Sequence, residues 1–134
     1  MMPMSPVVPR FELSEEHPPS GAHVIDVHGE IHLSTAPDFS ERLTAAIDRG
    51  SMAIVIDLSG VEFIDSTGLS VLLNGMRLVT ARKGSLALVC ANPTVLRLFQ
   101  ITGLDHTFAI HEERESACEQ VLQEAAGSSS DGAP

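Results

Sequence analysis

The sequence has no tryptophan and no tyrosine, and five phenylalanines among 134 residues. A core must therefore be aliphatic, and a hydrophobic content of 43% is enough to build one as a single domain. Cations are also scarce. Eight Lys and Arg face 18 Asp and Glu, a net charge of -10. That balance excludes a phosphate-neutralising nucleic-acid surface and disfavours an anionic membrane. It leaves proteins or small molecules as partners, with the charge mainly aiding solubility. The two cysteines, Cys90 and Cys118, offer neither a disulfide framework nor a metal-ligand spacing. Cys90 lies in the apolar run from Leu86 to Ala91 and is expected to be a buried thiol. No apolar stretch approaches the ~18 residues that would span a bilayer. The start, Met1 to Pro6, lacks the basic and apolar regions of a signal peptide. A soluble, reduced, cytoplasmic protein is expected.

Signs of catalysis are equally sparse. Gly29, Gly60 and Gly68 stand alone, so no glycine-rich phosphate loop is present, and there is no G-x-S-x-G elbow. The six histidines (His17, His23, His28, His32, His106 and His111) are scattered. His28 and His32 are four apart, but a loop intervenes, so the helical metal-ligand spacing does not apply. All except His32 read as solvated surface residues. Asp57, Asp65, Ser66 and His32 could share one rim, but a serine nucleophile needs an oriented base that nothing in the spacing demands. The chain reads as a non-enzyme with no metal and no cofactor of its own.

What is present is a regular alternation of strands and helices. Residues 1–8 form a loose arm, 9–126 one domain, and 127–134 a disordered polar tail by composition. Phe11 to Leu13 is a short strand, and Glu15 to Gly21 a turn. Ala22 to His28 is a second strand pairing antiparallel with the first, with Ile25 and Val27 on one side and Asp26 and His28 on the other. Gly29 to Ser34 leads into a helix. Thr35 is its N-cap, Pro37 fits the first turn, Asp38 completes a T-x-x-D capping box, and Gly50 ends it. Phe39, Leu43 and Ile47 line its inner face. Ala53 to Leu58 is a buried strand, Ser59 to Asp65 a short connection, and a helix runs from near Ser66 to before Gly84. Ser85 to Ala91 is a strand, and Asn92-Pro93 opens a short helix stopped by Gly103. Phe108 to His111 is a weak strand, and Arg114 to Ala126 a terminal helix with Ala117, Cys118, Val121, Leu122 and Ala125 inward. The order β-β-α-β-α-β-α-β-α predicts an α/β fold: a mixed, mostly parallel sheet of four to five strands packed with four helices through right-handed crossovers.

The stretch Asp65-Ser66-Thr67-Gly68 places hydroxyls beside a carboxylate at a helix N-terminus, on the rim where strands end. A helix cap alone would account for one of these residues. Three together on the rim where α/β sheets receive ligands and partners suggest a functional site.

The run D-L-S-G-V-E-F-I-D-S-T-G-L, from Asp57 to Leu69, resembles the signature of the STAS domain, specifically that of the anti-sigma factor antagonists. Gly29 to Pro37 is similar to the family's other recognisable loop and first helix. The likeness covers roughly residues 9 to 124 and implies a STAS-like fold. It also implies that the chain binds an anti-sigma factor with serine kinase activity, which uses ATP to phosphorylate Ser66. Phosphorylation would release that partner to capture its sigma factor, and a serine phosphatase would reset the switch. By the same resemblance Asp65, Thr67 and Gly68 flank the phosphoacceptor on the partner face. Ser59, Gly60 and the loop residues Glu30, His32, Ser34 and Thr35 lie near the same rim. One position departs from the pattern: the family usually has aspartate where this chain has His32. A histidine there is either a neutral surface change, a mark of a different partner set, or a pH-sensitive contact. A monomer is expected for the free protein. Two alternatives stay open: a STAS scaffold or transport-associated regulatory subunit without a sigma-factor partner, and a nucleotide-binding domain. The missing phosphate loop speaks against the latter.

Overall fold

A computed structural model of the chain describes residues 10–130 and the side chains of 10–125. The arm expected over residues 1–8 and the end of the tail, 131–134, lie outside the described residues. The elements are β1 (Glu12–Glu16), β2 (His23–Ile31), α1 (Ala36–Asp48), β3 (Ala53–Ile64), α2 (Ser66–Ala81), β4 (Ser85–Val89), α3 (Pro93–Ile101), β5 (Ala109–His111) and α4 (Arg114–Ser130). A short 3-10 turn, Leu104–His106, precedes β5. The expected alternation is therefore present in full, with five strands in one sheet.

Strand order in space is strand order in sequence, β1-β2-β3-β4-β5. β1 runs antiparallel to β2 and the other pairs are parallel. The centre is β3, whose residues Ala53 to Leu58 are buried without a break. A strand covered on both faces has no reason to alternate. On one face lie Ile25, Val27, Ile54, Ile56 and Leu58, packed under Phe39 and Leu43 of α1, Leu72 and Val79 of α2, and Val95 and Phe99 of α3. On the other, Val24, Val55, Ala87 and Val89 meet Ala117, Cys118 and Val121 of α4. All three crossover helices thus share one face, and the terminal helix covers the opposite one. Cys90 is buried as expected, at 1% exposure, and burial pushes its thiol up. Among the described residues no helix is long and apolar enough to cross a membrane.

Several local expectations need correction. Glu15 and Glu16 belong to β1 and not to a turn. Each is held in the strand by a partner across the sheet edge. Glu15 Oε1 bonds His23 Nε2 at 2.6 Å and Glu15 Oε2 bonds Arg42 Nη1 at 3.0 Å, while Glu16 pairs with Arg114. Burial would push the Glu15 carboxyl up, but the bonds from His23 and Arg42 outweigh it and hold it below the usual range. His23 is accordingly no surface residue: it is 4% exposed and its Nδ1 lies 2.7 Å from Ser51 Oγ. The expected connection from Ser59 to Asp65 is mostly strand. β3 pairs with β4 only as far as Asp57, but with β2 it continues to Ile64, facing Ile31. The ends of β2 and β3 therefore form a two-stranded ribbon reaching past β4. Gly29, Glu30 and Ile31 belong to it, not to a loop. α4 continues through residues 127–130, into the stretch read as a tail.

Candidate functional site

The tip of the β2–β3 ribbon carries the segment the sequence singled out. β3 ends at Ile64, and Asp65 takes the N-cap of α2 with an extended backbone, φ -104° and ψ -174°. Its Oδ1 accepts from the Gly68 backbone N–H at 3.0 Å. Its own N–H donates to the Ile31 carbonyl at 3.0 Å, tying the start of α2 to the end of β2. The carboxylate is therefore the cap, which leaves the Ser66 hydroxyl free of that duty. Ser66 is the first helical residue and is exposed; its carbonyl accepts from Ser70 Oγ at 3.0 Å. Thr67 is half-buried beside it. Gly68 is buried, and a Cβ there would lie 2.7 Å from both Ile31 Cγ2 and Ile64 Cγ1. Only a glycine lets the first turn of α2 settle onto both strand ends.

The second half of the site is the turn from Ile31 to Ala36. Here the expected capping box is absent. Thr35 occupies the N-cap of α1, but its side chain makes no cap bond. Its Oγ1 instead accepts from the His32 N–H at 3.0 Å and donates to the Glu30 carbonyl at 2.8 Å. The hydroxyl is consumed by its own turn, a local competition open to any threonine. His32 Nδ1 accepts from the Ser34 N–H at 3.2 Å, and its Nε2 lies 3.9 Å from Glu30 Oε1. A side-chain acceptor bonding the N–H two residues on is the geometry of an Asx-turn. The imidazole nitrogen thus does the turn-forming work an aspartate oxygen would do at this position.

The structure accordingly gathers Glu30, His32, Ser34, Thr35, Asp65, Ser66, Thr67 and Gly68 at one end of the ribbon, joined through the Ile31–Asp65 bond. Ser59 and Gly60 are set back from it within β3, where Gly60 faces His28 of β2. Ser59 donates its N–H to Asp57 Oδ1 at 2.9 Å. Asp57 is not part of the rim. It points to the α4 face, where Arg114 Nε and Nη2 reach its Oδ2 at 2.9 and 2.8 Å. Burial would push the Asp57 carboxyl up, but the bonds from Ser59 and Arg114 outweigh it and hold it below the ordinary range. A hydrolytic set of Asp57, Asp65, Ser66 and His32 is therefore not assembled.

The site has two further features. Leu33 is 73% exposed in the middle of the turn and Phe63 is 44% exposed near the end of β3. Both are large apolar side chains facing solvent beside the polar rim. Leu33 carried a signal, standing as the lone apolar side chain between His32 and Ser34. Asn92 does more than cap α3. It does accept the Thr94 N–H at 2.9 Å, but its Nδ2 also donates to the Val61 carbonyl at 3.3 Å, bracing the ribbon from α3.

A sheet with its crossover helices on one face, a terminal helix on the other, and a D-S-T-G cap at the strand ends describes a defined class of regulatory α/β domain. The STAS domain family model matches residues 15–117. The anti-sigma-B factor antagonist of Bacillus subtilis is 34% identical over 91 residues, covering 68% of this chain and 83% of its own. A crystal structure of an anti-sigma factor antagonist from Mycobacterium paratuberculosis superposes with a TM-score of 0.78 at 30% identity, covering 84% of this chain and 95% of that one. SpoIIAA, an anti-sigma factor antagonist and Bacillus cell fate determinant, is similar in both of its solved states at 25% identity. Its unphosphorylated form has a TM-score of 0.72, covering 84% of this chain and 97% of its own. Its phosphorylated form has a TM-score of 0.65, covering 82% and 99%. The chain belongs to the STAS-domain family of anti-sigma factor antagonists.

Proposed function

We propose that this protein is a non-enzymatic switch that binds an anti-sigma factor with serine kinase activity and lets it go when Ser66 is phosphorylated, so regulating sigma-factor-dependent transcription. The observation that carries the reading is the division of labour at the start of α2. Asp65 caps the helix, and Ser66 is left exposed with an unused hydroxyl. The relatives named anti-sigma-B factor antagonists and the phosphorylated state of SpoIIAA support it. ATP would be used by the partner kinase, not held here, and a serine phosphatase would reverse the modification. The partner is a protein and not a nucleotide. With α1, α2 and α3 on one face, the helices never part to leave the crevice in which doubly wound sheets hold small ligands. The rim offers instead exposed Leu33 and Phe63 around Ser66, a surface suited to another protein. Glu30, His32, Ser34, Thr35, Thr67 and Gly68 would shape this contact, with Ser59 and Gly60 supporting it from within β3. The protein would act as a cytoplasmic monomer when free.

The charge change suffices to work the switch without refolding. A phosphate adds about -1.5 to -2 charges at neutral pH. At the N-terminus of α2 the helix dipole favours it by about 0.3–1 kcal/mol, so the free domain tolerates it. Buried against a partner surface that fits a hydroxyl, an uncompensated charge costs about 3–5 kcal/mol. That weakens binding by roughly two to four decades. The test is calorimetry of the Ser66→Ala and Ser66→Asp variants against the anti-sigma kinase encoded by the same organism, with the intact mass of the native protein before and after phosphatase. Ser66→Ala should bind as wild type does and Ser66→Asp should bind at least a hundredfold more weakly. Equal binding by both, with no phosphatase-sensitive phosphate on Ser66, would instead mean a scaffold or transport-associated STAS subunit.

A further inference from the structure

At the opposite end of the sheet from Ser66, three metal-ligating side chains converge. Glu15 of β1, His17 of the β1–β2 turn and His23 at the start of β2 hold their ligand atoms within 4.8 Å of one another. Glu15 faces Ile25, and side chains two apart on a strand share a face, so Glu15 and His23 are diagonal neighbours on one side of the sheet. The turn brings the His17 ring to a centroid distance of 4.4 Å from that of His23, inclined by 51°. We propose that Glu15, His17 and His23 form a binding site for a borderline divalent cation, zinc being the natural occupant.

The donor set decides the class of ion. Two imidazoles and one carboxylate suit zinc and its neighbours, whereas magnesium and calcium require oxygen ligands. The partners of these residues are those a metal site uses. His23 Nδ1 lies 2.7 Å from Ser51 Oγ, so Nδ1–H can donate there and aim Nε2 at the ion. Arg42 takes Glu15 Oε2 at 3.0 Å, which orients the carboxylate and leaves Oε1 for the cation. Arg49 is the competitor, at 3.4 Å from Oε1, but its side chain is 66% exposed and free to swing into solvent. In the metal-free arrangement Glu15 Oε1 and His23 Nε2 lie 2.6 Å apart. Ligands of a four-coordinate zinc stand roughly 3.3 Å apart, so the pair need separate by under an ångström, with the ring proton on Nδ1 toward Ser51. His17 is exposed, which provides the entry path and leaves a fourth position to water. Bound there, the cation would clamp the β1–β2 turn to the edge of the sheet and, through Ser51, to the start of β3.

Isothermal titration of the untagged full chain with zinc chloride tests the site, with magnesium chloride as the contrast. One zinc should bind per chain and raise the melting temperature, and magnesium should do neither. His17→Ala, at an exposed position that does not threaten the fold, should weaken zinc binding about tenfold or more. His23→Gln should do the same, and His106→Ala, remote from the site, should not. Absence of one-to-one zinc binding would overturn the proposal. So would a His17→Ala variant that binds zinc as tightly as the wild type.

Discussion

Gly68 carries more of the site than its lack of a side chain suggests. The first turn of α2 lies so close to Ile31 and Ile64 that a methyl group would sit 2.7 Å from each. Those two residues end the paired strands on which the rim is built, so displacing them would move both halves of the site. Gly68→Ala should destabilise the domain by about 1–3 kcal/mol, the usual result of overpacking a closed core, read as a lower midpoint in urea denaturation at unchanged slope. His32 illustrates a different economy. Its Nδ1 fills the acceptor role that the turn needs from residue 32. Such details were only partly legible. D-S-T-G announced a cap and a hydroxyl, but which oxygen does the capping depends on χ angles that sequence does not encode. Thr35 shows the same: it had the pattern of a capping box, and the Glu30 carbonyl and the His32 N–H took its hydroxyl instead.

At the scale of elements, helices are legible in the sequence because their punctuation is local. Pro37, Gly50, Asn92-Pro93 and Gly103 sit where the chain enters or leaves α1 and α3. Strand lengths are less legible because their extent depends on a neighbour. Residues 59–64 look like a connection by composition, and they are strand because residues 28–31 of β2 continue beside them. The same blindness hid His23, whose burial comes from Glu15 and Ser51, 8 and 28 residues away in sequence. The attachment of α4 is likewise non-local. Asp26 and Asp57 stand side by side on β2 and β3, and Arg114, at the first turn of α4, reaches both as well as Glu16. Two neighbouring carboxylates facing an apolar layer repel each other unless a cation sits between them, so this guanidinium fixes where α4 begins. Asp57 is held below its ordinary range in the fold and returns to it when unfolded. The unfolded chain therefore takes up the proton first as pH falls. The contribution is complete above the ordinary aspartate range and drains away as pH drops toward the depressed folded value. Urea midpoints measured from about pH 6 down to pH 3 should fall less steeply for Asp57→Asn than for the wild type, although the variant starts lower.

Across the whole molecule, two apolar layers flank one sheet, and they are guarded unequally. Among the described residues three helices cover the first layer and α4 alone covers the second. A chain ending before Arg114 keeps all five strands and loses that whole cover. It should have the secondary structure of the intact domain without its helix α4, but bind a hydrophobic dye and self-associate, as sedimentation velocity would register.

The strand order gives this a bearing on how the protein is made. Because every strand lies beside its predecessor, a chain leaving the ribosome can lengthen its sheet at one open edge, and no strand has to wait for a later one to be threaded in. The exception is the far side. Val24 and Val55 emerge early and stay bare until synthesis has passed Val121. For that interval the nascent domain presents a greasy flank to the crowded interior of the cell, and its success depends on how soon the last helix arrives.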